Sequence, residues 1–157
     1  MTKDFTSHIK ELIDRKDSVL LQELVSKMHP ADIAEICIEL TTEQARFLYR
    51  QLDNEKAADA LIEMDEDLRN DLLEELPSEA IAKRFVNYMD TDDAVEIIRD
   101  MDEEKQEEVL SHIKDIEQAG DIVDLLQYDE DTAGGLMSTE MVVVNENWSM
   151  PECLKEM

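Results

Sequence analysis

The sequence predicts an all-α protein: a superhelical stack (α-solenoid) of short antiparallel helices with a short strand-and-helix fragment at its C-terminal end. Three observations carry this. No glycine occurs from Met1 to Ala119, so tight hairpins and phosphate-cradling loops have nothing to build on. Apolar residues recur on a beat of twelve over seven consecutive units. Each unit also opens on a helix-starting residue and closes on a large apolar one.

The units run from His29 to Leu40, Thr41 to Leu52, Asp53 to Met64, Asp65 to Leu76, Pro77 to Met89 (one residue longer), Asp90 to Met101 and Asp102 to Ile113. Thr41, Asp53, Asp65, Asp90 and Asp102 are N-cap residues and Pro77 suits a first turn, while the acids that follow complement the helix dipole. Thr41 with Gln44 has capping-box spacing. Ile33, Ile36, Cys37 and Leu40 keep helical spacing, as do Leu68, Leu72, Leu73 and Leu76. About nine helical residues and a short turn fill twelve positions, and a helix that short is unstable alone, so the units must cover one another's apolar stripes. Upstream, Phe5 to Asp14 and Ser18 to Met28 read as two capping helices. Downstream, Ile116, Ile122, Val123, Leu125 and Leu126 mark a last helix ending near Gln127 or Tyr128. An irregular helical bundle is the competing architecture.

With 41 acidic against 15 basic residues the net charge is -26. Such a surface repels phosphate backbones and anionic lipid, which argues against nucleic-acid binding and against membrane attachment by a basic face. Cationic partners fit better, and solubility alone is the competing explanation. Cys37 and Cys153 are two scattered thiols, as in a reducing compartment. No stretch approaches the roughly 18 apolar residues that span a bilayer, and no secretory signal opens the chain.

The case for enzyme chemistry is thin. His8, His29 and His112 are far apart, and metalloprotease, CxxC and P-loop spacings are all missing. Met64, Met89 and Met101 close repeat units and read as core.

After Tyr128 the composition changes to a Gly-Gly pair, a β-branched run and the single tryptophan. Met141 to Val144 reads as a strand, and Ser149 with Glu152 opens a helix. A strand and a helix start cannot form a core of their own, so this tail is expected to dock loosely or to be disordered in the isolated chain, with Gly134 and Gly135 as a flexible hinge in preference to a phosphate cradle, since no basic residue lies nearby.

The run Tyr128, Thr132, Ala133, Gly134, Gly135, Leu136, Met137 resembles the Y-x-x-x-T-A-G-G-L-M signature that joins the cytosolic N-terminal domain of MgtE-type magnesium transporters to their paired CBS domains. His29-Pro30-x-Asp32-Ile33 and the acidic units are also similar to that family. The resemblance implies a superhelical N domain over 1–127, a linker over 128–138 and the incomplete start of a CBS domain over 139–157. It implies a regulatory domain on the cytoplasmic side of a dimeric magnesium channel, with CBS domains and a transmembrane pore as partners. There, magnesium between N and CBS domains favours a compact, closed state. The chain is then expected to be a truncated piece or a natural fragment, itself soluble. The alternative is an acidic α-solenoid scaffold resembling flagellar-motor switch proteins.

Alignment to the family pattern places Asp59, Asp92 and Glu96 where magnesium ligands are expected. Independently, Glu35, Asp59 and Glu96 share the seventh place of their units and would share a face if alternate helices lined one surface. Asp92 and Glu96, four apart, repel unless a cation intervenes, although Asp92 also suits a first helical turn. Plain solvation is the competing reading for any single acid. Magnesium tolerates such sparse sites because it keeps most of its waters.

Overall fold

The computed structural model describes residues 3–140 and 144–156, and among them every regular element is helical. In chain order these are α1 (Lys3–Asp14), α2 (Ser18–Val25), α3 (Pro30–Ile38), α4 (Thr42–Tyr49), α5 (Asn54–Ile62), α6 (Glu66–Leu73) and α7 (Ser78–Arg84). A 3-10 turn (Val86–Tyr88), α8 (Thr91–Arg99), α9 (Glu103–Ser111), α10 (Ile116–Leu125) and α11 (Met150–Glu156) follow. Met141 to Val143 of the expected strand lie outside the described residues.

The helices start where the cap residues stand. Asp53 and Asp102 each accept the amide three residues on, at 2.9 Å in both cases. Thr41 and Gln44 close a reciprocal capping box. The unit with the extra residue breaks its rhythm: α7 stops at Arg84, and a 3-10 turn takes up the surplus. Asn87 fixes that turn by donating to the Ala82 carbonyl at 2.7 Å and accepting the Lys114 amide at 3.0 Å.

Packing runs between alternate helices. α3 lies on α5, α5 on α7 and α7 on α9, forming one row; α1 lies on α4 and α4 on α6, forming the other. α8 joins the second row through ion pairs from α6 and packs on α10. The core lies between the rows, and the unit-closing residues Leu40, Leu52, Met64, Met89 and Ile113 are all buried in it. At the centre, the Phe85 ring sits 6.3 Å from that of Tyr49, tilted by 50°, with the Arg84 guanidinium carbon 6.0 Å above it.

Helix C-termini leave carbonyls unpaired, and here cations from non-adjacent helices take them. Arg46 donates to the Asp71 and Leu72 carbonyls, Lys56 to those of Ser26 and Met28, and Arg84 to those of Tyr49 and Leu52. Arg99 does so for Leu125 and Tyr128, and Lys105 for Leu73 and Glu74. Positive charge at these negative dipole ends is stabilising. Five of the fifteen basic side chains are thereby committed to backbone carbonyls, and of these Arg46 and Arg99 also meet the carboxylates of Glu75 and Glu130.

Cys37 is fully buried on α3, and burial pushes its thiol up to about 12. At pH 8 its thiolate is then about one part in ten thousand. A thiol reagent should therefore modify one cysteine in the native chain, the half-buried Cys153, and both after denaturation. Two fast equivalents under native conditions would contradict this burial.

Candidate functional site: an acidic cavity on α8

The first turn of α8 carries Thr91, Asp92 and Asp93 behind Asp90. Apolar Ala94, Val95, Ile97 and Ile98 face the core, so the helix turns Asp92, Asp93 and Glu96 outward on its other side. With Glu66, Arg69, Arg99, Asp100, Glu130, Gly135 and Leu136 these acids line a cavity of about 370 Å³.

Arg69 organises this cavity. Its side chain comes up from α6, only 4% exposed, and donates to Glu96 at 2.9 Å and to Asp100 at 3.2 Å. Its Nε is buried and unpartnered. At the far end, Arg99 stands 3.8 Å from Glu130. Two cations among so many acids leave a local surplus of negative charge.

The surplus falls on Asp93. Burial raises its pKa, and Asp92, Asp90, Glu96 and Glu140 push in the same direction. A carboxyl whose folded pKa lies above its unfolded one binds its proton more tightly in the native state. Its contribution to stability therefore grows as pH falls through that pKa and is lost as pH rises. A cation drawn to the cavity would relieve the same repulsion.

The segment after α10 covers the cavity as a close-packed turn, where the sequence led us to expect a flexible hinge. Thr132 donates its hydroxyl to the Asp129 carbonyl at 2.7 Å and accepts the Gly135 amide at 3.2 Å. A methyl group on Gly135 would lie 2.2 Å from the Asp129 carbonyl oxygen, and one on Gly134 would lie 2.5 Å from the Tyr128 ring. Neither glycine has a positive φ. The pair is required for close approach of the chain to itself, which composition alone does not distinguish from looseness.

Residues 28–131 match the MgtE intracellular N domain family. The chain belongs to that family. Magnesium transporter MgtE of Thermus thermophilus is 26% identical over 157 residues, covering 99% of this chain and 35% of the relative. The chain thus spans about a third of that relative's length. A crystal structure of the soluble part of a magnesium transporter superposes with a TM-score of 0.83 at 26% identity, over 98% of this chain and 60% of the other. The cytosolic domain of the Mg2+ channel MgtE in complex with ATP gives 0.76 at 26% identity, over 96% and 61%. No helix among the described residues is long and apolar enough to cross a membrane.

For a chain of the MgtE N domain family, the three acids expected to bind the ion are not all neighbours. Asp92 and Glu96 line the one cavity, whereas Asp59 is an exposed residue of α5 outside that lining. The expected shared face of Glu35, Asp59 and Glu96 does not form: α3 and α5 stand in one row and α8 belongs to the other. The reason is parity, because Glu96 sits in the sixth unit while Glu35 and Asp59 sit in the first and third. Among the described residues, no three His, Cys, Asp or Glu side chains converge closely enough to hold a metal ion by themselves. Asp93, Asp100 and Arg69 were not among the expected site residues. The adjacent Asp92–Asp93 pair was visible in the sequence, but the ion pairs of Arg69 span 27 and 31 residues and left no local signal.

A larger hollow of about 730 Å³ lies between α1, α4 and α6. Some of its polar groups engage one another, Gln44 with Asp14 at 3.0 Å and Arg46 with Glu75 and the Asp71 carbonyl.

Proposed function

We propose that this chain is the magnesium-sensing, gate-regulating domain of a magnesium transporter and has no enzymatic role. The observation that carries the proposal is the under-neutralised acidic cavity on α8, lying directly beneath the segment that leads out of the domain. Magnesium binds there through one or two carboxylates, Asp92 and Glu96, keeping most of its waters. Asp59, on the other row, serves a separate contact with a facing domain. In this reading residues 1–127 are the sensor, 128–138 the linker and 139–157 the start of a CBS domain. The partners are the CBS domains and transmembrane pore of the same transporter, assembled as a homodimer on the cytoplasmic side of the membrane.

The physical basis is repulsion between acidic surfaces. Two carboxylates about 4 Å apart repel by roughly 1 kcal/mol in bulk water and roughly 4 kcal/mol at an effective dielectric near 20. A closed interface lined by several of them needs local cations, and dissolved monovalent salt screens only diffusely.

Millimolar magnesium should therefore compact this domain joined to its following CBS pair, as read by small-angle scattering and limited proteolysis. Potassium chloride at matched ionic strength should not. Asp92→Ala and Asp59→Ala should each weaken the response. Equal compaction in potassium chloride, or full compaction in both variants, would sink the sensor reading and favour the scaffold alternative. The exposed Val19, Leu20 and Ile38 near the other end of the stack would then be the surface to test.

A further inference from the structure

We propose that residues 128–140 form a strap clasped to both ends of α8, with Glu140 as its releasable catch. At the C-terminal end of the helix, Arg99 donates to the Leu125 carbonyl at 3.3 Å and the Tyr128 carbonyl at 3.0 Å, and its Nε faces Glu130. At the N-terminal end, Glu140 accepts the Thr91 amide at 2.8 Å and the Thr91 hydroxyl. Asp90, the residue placed to cap α8, makes no side-chain cap bond. A carboxylate from 49 residues downstream in the chain does that work instead.

The two fastenings differ in strength. The Arg99 end is backed by the compact turn whose glycines admit no side chain, and its donors reach backbone carbonyls that need a partner. The Glu140 end rests on a single side chain in a contested seat. The helix N-terminus and the Thr91 hydroxyl draw the carboxylate in, and Lys114 lines the same hollow. Asp93 of α8 and the Glu140 carboxylate repel each other, and Asp115 borders the hollow. Burial alone would raise the Glu140 pKa, but the bonds from Thr91 and Ser138 outweigh it and lower the value. Glu140 is itself exposed and holds by one side chain alone, which makes it the weaker end of the strap.

Amide exchange by NMR on the 157-residue chain tests this without magnesium, so the outcome is independent of the ion-sensing proposal. In Glu140→Ala, exchange at the Thr91 amide should rise by about tenfold, the loss expected for one charge-assisted hydrogen bond. Fast backbone motion of Ser138 and Thr139 should rise with it. The Gly135 amide and the amides of α4 and α7 should keep their protection. Glu140→Gln, which can still accept a bond but carries no charge, should fall in between. Unchanged Thr91 exchange and unchanged order at Ser138 and Thr139 in the alanine variant would overturn the proposal. So would loss of protection spread evenly through α4 and α7, because Glu140 would then be one more global stabiliser and no catch.

Discussion

Phe85→Ala is expected to be the most damaging single truncation, destabilising the chain by about 3–5 kcal/mol, the usual range for emptying a buried phenylalanine site. The side chain is 1% exposed at the join of α7 and the 3-10 turn, where the rhythm of the superhelix breaks. It packs near the Tyr49 ring of the opposite row and supports the Arg84 guanidinium, which in turn holds the Tyr49 carbonyl at the end of α4 and the Leu52 carbonyl just after it. Removing it therefore opens a void and loosens a helix terminus together. For a chain of this size, about 3–5 kcal/mol corresponds to a fall in melting temperature of roughly 10 °C. Phe85→Leu keeps most of the volume and should cost less than half as much. Thermal unfolding followed by circular dichroism decides the matter, and equal melting of the alanine variant and the parent would show that the two rows are not joined through this ring.

Arg69→Met should have the second largest effect, and one that depends on ions. The methionine fills the space of the arginine stem, so the change isolates the lost charge. Glu96, 66% exposed, returns to water at little cost, whereas Asp100, 20% exposed, is left half-buried and unpaired. Breaking a fully buried pair costs about 3–5 kcal/mol, and the exposure of Glu96 reduces the expectation here to about 1–3 kcal/mol. Loss of the buried, unpartnered Nε offsets part of that. The variant also frees two carboxylates beside Asp92 and Asp93. If cations enter this cavity, magnesium should stabilise Arg69→Met more than it stabilises the parent at matched ionic strength, because a ligand stabilises whichever folded state it binds better. An equal or smaller magnesium-dependent shift in melting temperature would mean that Arg69 does not compete with cations for this cavity.

The division between sequence and tertiary structure follows from the range of the forces involved. The twelve-residue beat, the caps at Thr41, Asp53 and Asp102 and the buried unit-closing residues were legible because each depends on neighbours a few positions away. The helical period and the cap hydrogen bond are both local. The helix after Ser149 was legible for the same reason, with Ser149 and Glu152 bonded to each other at 2.7 Å. The Gly-Gly signature identified the family, yet its glycines serve close packing of the turn on Asp129 and Tyr128. Composition signals only that a side chain is missing and leaves open what would have met it. Tertiary structure alone decided that the odd and even units separate into two rows, which divides Asp59 from Glu96. It also decided that five cations turn inward to carbonyls 25 to 35 residues away, and that Glu140 caps α8 in place of Asp90. These pairings join side chains to backbone on non-adjacent helices, where geometry is set by how the rows stack, and a pattern that repeats every twelve residues carries no record of which distant partner a given charge will meet.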